Sequence, residues 1–365
     1  MSQDLENFYR TVNFSRYHGH GHGHGQKKGF YESFYQRANH PTQPLAFWTR
    51  YTIFSAKNKP EESIGELWGV FFNGMTGEHV AIKKEWPLSH CTFDTTKFFV
   101  KVGEAILQEG SLKGELSADK KRLGWNLTFE TKEKPSPFMP LHFYERRFPV
   151  AKSAIGFPMA RYNGTFIVNG REIPIRDWVG SQNHNWGYKH TDQYALGQVA
   201  GFDNSADSFF EIATARMKIG CFKFPALTPA VLRHRGREHT FYNLWQALKS
   251  RGSYRYFVWD FHVENKDLEI DGTIAAPKNA FVAFVYYNPP GDIKNCLNTK
   301  IASCHLRLRY KNLIHDLKNE ELIAQHRSLF EILTGDFNGH GVSIVGADLE
   351  KDVCCECPPQ DDLRK

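Results

Sequence analysis

The chain has 365 residues, enough for about two domains of ordinary size, and its 14% of aromatic residues favours a packed, strand-rich fold. The net charge of +6 is spread along the chain without the concentrated basic stripe of a nucleic-acid-binding protein, so we expect no nucleic-acid partner. No apolar run is long enough to predict a transmembrane segment. The polar start lacks a secretory signal and the seven Cys lack regular spacing, which favours reduced thiols in a cytoplasmic protein.

Residues 1–40 are predicted to form a flexible appendage. It contains a strict His-Gly repeat from His18 to Gly25, in which glycine at every second position disfavours regular structure. Four imidazoles could capture a transition metal. A disordered spacer with incidental metal affinity is the preferred interpretation, so no metal site and no cofactor are predicted. A short helix is predicted over Phe30 to Arg37.

Short aromatic and aliphatic runs separated by turns follow from Leu45 to Glu130 and predict successive strands. Three prolines between Lys132 and Pro140 then interrupt the pattern, as in a linker. We therefore predict a first barrel over residues 41–150.

The second half repeats this pattern over residues 151–336. Asn169-Gly170 between two apolar runs predicts a two-residue hairpin turn, and the best helix candidate, Lys318 to Arg327, is short. Strands without intervening helices imply antiparallel pairing in sandwiches or barrels. The predicted fold is all-β, with two lipocalin-like antiparallel barrels packed side by side and a flexible, Cys-containing tail over residues 337–365. An eight-stranded barrel can enclose one small ligand.

The segment from Gly180 to Gln198 differs from the rest of the chain. It concentrates amides, two histidines, a tryptophan and tyrosines between apolar strands. A mostly apolar pocket needs a few such polar groups to orient its ligand. The alternative is a buried amide and imidazole network that holds a loop between the barrels.

This segment also resembles a known superfamily. Asn183-His184-Asn185-Trp186-Gly187, followed by Tyr194-Ala195-Leu196-Gly197-Gln198, is similar to the signature of carotenoid 1,2-hydratases and AttH-like proteins, a group that includes tocopherol cyclases and lipocalin-like pericyclases. The resemblance would span about Leu45 to Thr334. It implies a pair of lipocalin-like barrels, long apolar substrates such as polyenes, and reactions begun by protonating an alkene or by folding a polyene for cyclisation.

The chain departs from this signature at the position of the acidic residue. Where the hydratases carry Asp and the cyclases Glu, this chain has Asn183, and an amide cannot supply that proton. Asp192, Asp203 and Glu211 are candidate substitutes. A carboxyl on an inward, apolar strand face would have a raised pKa, although the preferred interpretation directs Glu211 to solvent or to Arg216.

The resulting hypothesis is a hydrophobic small molecule bound near this segment, with cofactor-free hydration, isomerisation or cyclisation as the reaction if the protein is an enzyme. A non-catalytic isoprenoid or lipid carrier, and an interaction protein with filled barrels, are the alternatives. The sequence predicts no oligomeric state. The candidate catalytic residues are His184, Asp192 and Glu211, and the candidate substrate-binding residues are Asn183, Asn185, Trp186, His190, Tyr194 and Gln198.

Overall fold

The structure, a computed structural model, describes residues 2–18, 29–216, 218–219, 222–223, 225–311 and 319–345. Most of these residues are in strands and few are in helices, which confirms the predicted all-β class. No helix among them is long and apolar enough to cross a membrane. Their helices are short: α1 (Gln3–Thr11), α2 (His142–Glu145) and α3 (Leu244–Lys249), with 3-10 turns at Leu88–His90 and Lys278–Ala280.

The first sheet is antiparallel throughout and has twelve strands among the described residues. They are β1 (Phe30–Asn39), β2 (Leu45–Ala56), β3 (Lys59–Asn73), β4 (Val80–Pro87), β5 (Cys91–Phe93), β6 (Phe99–Val102), β7 (Ala105–Gln108), β8 (Ser111–Ala118), β9 (Lys121–Glu130), β10 (Ser136–Pro137), β11 (Ala151–Val168) and β12 (Arg171–Gly187). The order is β4-β3-β2-β1-β12-β11-β9-β8-β7-β6-β5, with β10 beside β11. The sheet curls until β4 contacts β8 and β9.

The second sheet takes most of the described residues from Gln193 onward. Its strands are β13 (Gln193–Phe202), β14 (Ser205–Arg216), β17 (Ala230–His234), β18 (Arg237–Thr240), β19 (Arg251–Arg255), β20 (Val258–Glu264), β21 (Leu268–Ala275), β22 (Val282–Tyr287), β23 (Ile293–Tyr310), β24 (Asn319–Thr334) and β25 (Ile344–Val345). The order is β18-β17-β14-β13-β24-β23-β21-β20-β19, with β22 between β23 and β25. A small hairpin, β15 (Lys218–Ile219) with β16 (Phe222–Lys223), leaves this sheet after β14.

The two curled sheets form two barrels side by side, which confirms the predicted architecture. One apolar cluster fills the first barrel, with Phe47, Phe166 and Trp178 at its centre. A second cluster fills much of the other barrel and continues onto the outer face of the first, where Trp48 and Trp68 pack on Phe284. Part of the seam between the barrels is therefore apolar and rich in aromatic rings.

The prediction of a helix over Phe30 to Arg37 within a flexible appendage is wrong, because these residues belong to strand β1. All ten of its residues are buried. Strands β2 and β12 flank β1 on its two edges, one of its faces packs into the first barrel, and the other faces the second barrel. A strand covered on both faces loses the polar and apolar alternation by which a strand is predicted. The His-Gly repeat lies outside the described residues from Gly19 onward.

The division of the chain between the sheets falls between Gly187 and Gln193, whereas the sequence placed it at residue 150. The proline-rich segment over 132–140 connects two strands of one sheet, and its own short strand β10 pairs with β11. Proline therefore marks a turn within the first barrel here.

The helix predicted over Lys318 to Arg327 is also wrong, since residues 319–327 belong to β24. In the predicted tail, β25 pairs in parallel with β22, so residues up to Val345 are part of the second barrel. The hairpin turn at Asn169-Gly170 is confirmed, with φ of 51° and 85°, the left-handed values that this turn requires.

Candidate functional site

An apolar cleft with a volume of about 300 Å³ lies at the seam between the barrels. Strands β1, β2 and β12 of the first sheet form one wall, and β13, β14, β22 and β24 of the second form the other. The segments around residues 138–153 and 227–247 surround its mouth. Its size and largely apolar lining are typical of a small-molecule site.

Arg50 of β2 places a cation in this cleft. The side chain is 5% exposed, and its guanidinium carbon lies 4.3 Å from the ring centroid of Tyr286 and 4.9 Å from that of Trp68. Burial acts to lower the pKa of Arg50, but the electrostatic influence of Tyr286 and Glu66 outweighs it, so the pKa is raised. Arg50 Nε has no hydrogen-bond partner among the described residues, which leaves a buried donor for a ligand oxygen.

Glu331 of β24 supplies a carboxylate on the opposite wall. Its Oε1 accepts hydrogen bonds from Lys300 Nζ at 2.9 Å and from Asn298 Nδ2 at 2.6 Å. Its Oε2 faces the Tyr194 hydroxyl, 3.5 Å away. Burial lowers the pKa of Lys300 to about 8, against the opposing effect of Glu331. Two donors thus hold one oxygen of Glu331, and the other oxygen is directed at the cleft with Tyr194.

Glu211 of β14 is a second buried carboxyl, one layer below the cleft floor. The floor includes Leu196 and Ala213, and the next cross-strand pair inward is Gln198 with Glu211. Glu211 Oε2 accepts from Gln198 Nε2 at 2.5 Å and from Asn183 Nδ2 at 2.9 Å. Burial raises the pKa of Glu211 to about 7, despite these two hydrogen bonds. The expectation that this side chain faces solvent or Arg216 is therefore wrong.

Gln198 joins this carboxyl to a wider buried network. Its Oε1 accepts from Arg37 Nε at 2.8 Å and from Ser181 Oγ at 2.6 Å, and its Nε2 also donates to Asn183 Oδ1 at 3.1 Å. Every one of these side chains is fully buried. Asn183 and Gln198 thus form the internal network that the sequence offered as an alternative to ligand contact.

Other residues of the same segment line the cleft. Asn185 lies two positions from Asn183 on the same face, and its Oδ1 accepts from Ser153 Oγ at 2.7 Å. His190 stacks on Tyr31 with ring centroids 3.7 Å apart. Burial, with Arg50 and Lys294, lowers the pKa of His190 to about 3, so this imidazole is neutral. The segment from Gly180 to Gln198 therefore contains both residues that line the cleft and residues that belong to the buried network.

His184 lies on the other face of β12, away from the cleft, because adjacent strand residues point to opposite faces. Its Nδ1 is 2.6 Å from the Val12 carbonyl oxygen and its Nε2 is 2.8 Å from Glu32 Oε1. Glu32 also accepts from Ser15 Oγ at 2.5 Å and from Arg16 N at 2.6 Å. Since both ring nitrogens face acceptors, the pair fits an imidazolium and a carboxylate.

The three candidate catalytic residues are therefore not brought together. His184 is inside the first barrel, stacked 4.1 Å from Phe34, and Trp186 packs beside it at 4.5 Å on that same face. Asp192 lies at the seam but pairs with Lys189 at 3.1 Å. Glu211 approaches the cleft from below, and Asn185, His190 and Tyr194 line it.

Sequence reasoning missed Arg50, Glu331, Tyr35 and Tyr286. A charged residue inside an apolar run was the available signal, as in Phe47-Trp48-Thr49-Arg50-Tyr51 and Leu329-Phe330-Glu331-Ile332. Lys300 is buried behind the cleft with its Nζ 4.8 Å from the Trp48 ring centroid. Among the described residues, no group of three or more His, Cys, Asp or Glu side chains could hold a metal ion.

Comparisons with known proteins agree on the fold alone. No family model matches the chain, and no curated protein is significantly similar in sequence. Among solved structures, an AttH-like protein of Nitrosomonas europaea superposes with a TM-score of 0.52 at 13% identity, over 88% of this chain and 97% of the other. Kievitone hydratase of Nectria haematococca superposes with a TM-score of 0.50 at 10% identity, over 89% and 98%. The chain thus has the lipocalin-like double-barrel fold of the superfamily that the segment at residues 183–198 resembles.

Proposed function

We propose that this protein binds an apolar, unsaturated small molecule in the cleft and catalyses its cofactor-free hydration or the reverse dehydration. The observation that carries the proposal is the pair of buried carboxyls, Glu331 on the cleft wall and Glu211 just below the floor. Two carboxyls in different surroundings, one facing a cleft and one buried beneath it, are a recurrent acid and base arrangement. One of the two structural neighbours is named a hydratase, which supports the proposal.

Each group has a distinct part in the proposed reaction. Glu331, which Lys300 contacts, acts as the carboxylate base and accepts a proton from a water molecule whose oxygen bonds to one alkene carbon. The other alkene carbon takes a proton that originates on Glu211, which is neutral below about pH 7. Tyr35 lines the cleft near both carboxyls, since burial together with the charges of Glu211 and Glu331 raises the pKa of its hydroxyl, and we assign it the relay of that proton. Arg50 binds a substrate oxygen and stabilises negative charge on it.

The test begins by identifying the ligand. Protein purified without a metal column is extracted with organic solvent, and the extract is examined by mass spectrometry. The identified compound is then incubated with protein in ¹⁸O-labelled water. We expect one ¹⁸O atom in the product, and Glu331→Gln or Glu211→Gln to lower turnover by about 10²-fold or more while ligand binding persists.

Glu62→Gln is the matched control, because Glu62 is exposed and pairs only with Lys59. Turnover at the wild-type rate by Glu331→Gln would reject the proposed base. The pH profile tests the acid: kcat/KM should fall as pH rises through about 7, and Glu211→Gln should lack this limb.

A non-catalytic carrier is the second candidate function. It is favoured by the position of Glu211, which lies below the floor of the cleft instead of lining it, and by Asn183 at the acid position of the family signature. A ligand that is extracted in stoichiometric amount and recovered unchanged from labelled water would establish this function.

A further inference from the structure

Exposed apolar side chains are concentrated at the mouth of the cleft. Six large hydrophobic residues of the described chain are exposed, and four of them lie here: Phe148 at 52%, Leu244 at 52%, Trp245 at 72% and Leu248 at 39%. Phe148 and Leu244 both line the cleft itself. Contiguous exposed apolar surface around a binding site indicates an interaction surface.

Helix α3 presents most of this surface. Asn243 caps the helix, with Oδ1 accepting from the Trp245 backbone, and Ala247 packs against the protein. Leu244, Trp245 and Leu248 therefore point outward. Phe148 approaches from the segment between α2 and β11 on the opposite side of the mouth. We refer to Phe148, Leu244, Trp245 and Leu248 as the mouth patch.

Positive charge surrounds the mouth patch. Arg146, Arg147, Lys249 and Arg251 are exposed, and none of them pairs with a carboxylate of the described residues. The chain therefore has a basic rim around an apolar opening.

We propose that the mouth patch docks on a lipid bilayer that contains anionic phospholipids. Tryptophan is favoured at the boundary between headgroups and acyl chains, and Lys and Arg beside it are attracted to anionic headgroups. Docking in this orientation turns the apolar cleft toward the bilayer, so an apolar ligand enters without crossing water. The proposal rests on exposure and charge alone and is tested without ligand.

The experiment is co-sedimentation of the full chain with sucrose-loaded vesicles, either of phosphatidylcholine alone or with about one third phosphatidylglycerol. We expect binding to the anionic vesicles that weakens as salt is added. The double substitution Trp245→Ser and Leu248→Ser should weaken it by about tenfold or more. Arg146→Gln combined with Arg147→Gln and Lys249→Gln should weaken it and reduce its salt dependence.

The matched control is Met75→Ser with Ile323→Ser, the two exposed apolar residues that do not line the cleft mouth. This variant should bind vesicles like the wild type. Absence of binding to anionic vesicles, or equal loss in the control, overturns the proposal. So does a concentration-dependent dimer, seen by light scattering, that the Trp245 and Leu248 substitutions abolish, because the patch would then be a contact between copies.

Discussion

At the scale of single residues, Glu211 contributes a pH-dependent part of the free energy of unfolding. It is fully buried, and burial raises its pKa from an ordinary 4.5 to about 7. In the unfolded chain the carboxyl loses its proton at lower pH than in the native protein. The contribution of Glu211 to stability is therefore lost as pH rises from about 4.5 to about 7, and is level above that.

This predicts a difference between the wild type and Glu211→Gln. An amide can still accept from Asn183 Nδ2 but carries no charge, so the variant should lack this part of the pH dependence. The free energy of unfolding of the wild type relative to the variant should fall by about 3 kcal/mol between pH 4.5 and pH 8. Urea denaturation at several pH values measures it, and parallel curves for the two proteins would contradict it.

The buried Lys300 and Glu331 pair makes a second prediction at this scale. Lys300→Met leaves the Glu331 carboxylate buried with one fewer donor, which should destabilise the protein by about 3–5 kcal/mol. Lys300→Met with Glu331→Gln removes both charges and should recover much of that loss. Thermal and urea unfolding of the two variants provide the comparison, and equal stability would show that the charges are not coupled.

At the scale of elements, strand β12 directs alternate residues to two different places, the seam between the barrels and the interior of the first barrel. Odd-numbered residues such as Asn183 and Asn185 face the seam, and even-numbered ones such as His184 and Trp186 face the first barrel. The N-terminal segment that follows α1 is attached to that second face through Val12, whose carbonyl oxygen contacts His184. His184 is therefore a structural residue that joins β12, β1 and the N-terminal segment.

Accordingly, His184→Ala should impair stability more than catalysis. It leaves Glu32 charged and without its buried partner, at a cost of about 3–5 kcal/mol. His184→Gln combined with Glu32→Gln removes both charges and should be more stable than the single variant. Turnover per folded molecule should remain near the wild-type value for His184→Ala. A complete loss of turnover in fully folded variant would assign His184 a catalytic part instead.

At the scale of the whole molecule, the cleft exists only because two barrels meet. Ala213 and Ala215 of the second sheet face Tyr31 and Tyr35 of the first across the seam. Because the alanine side chains on one wall are small, the tyrosine rings on the other wall do not fill the space between the two walls. A bound ligand therefore contacts both barrels and should stabilise the folded protein.

Ala215→Phe tests this arrangement. The larger ring should occupy the cleft near Tyr194, its cross-strand neighbour, and abolish the rise in melting temperature that the extracted ligand causes in the wild type. The melting temperature of the ligand-free variant should change little, because the ring enters existing space. Ligand-induced stabilisation equal to that of the wild type would show that the ligand binds elsewhere.

The sequence by itself determined the fold class, since turns and strand-forming residues recur without intervening helices, and hairpins such as Asn169-Gly170 depend only on local backbone preference. The Gly180 to Gln198 segment could also be identified, because dense polar residues between apolar strands are unusual. Strand β1 could not be predicted, since burial on both faces removes the alternation that marks a strand. Only the tertiary structure decided that Arg50, Glu211 and Glu331 share one site, because they lie on distant strands that meet where one barrel packs against the other.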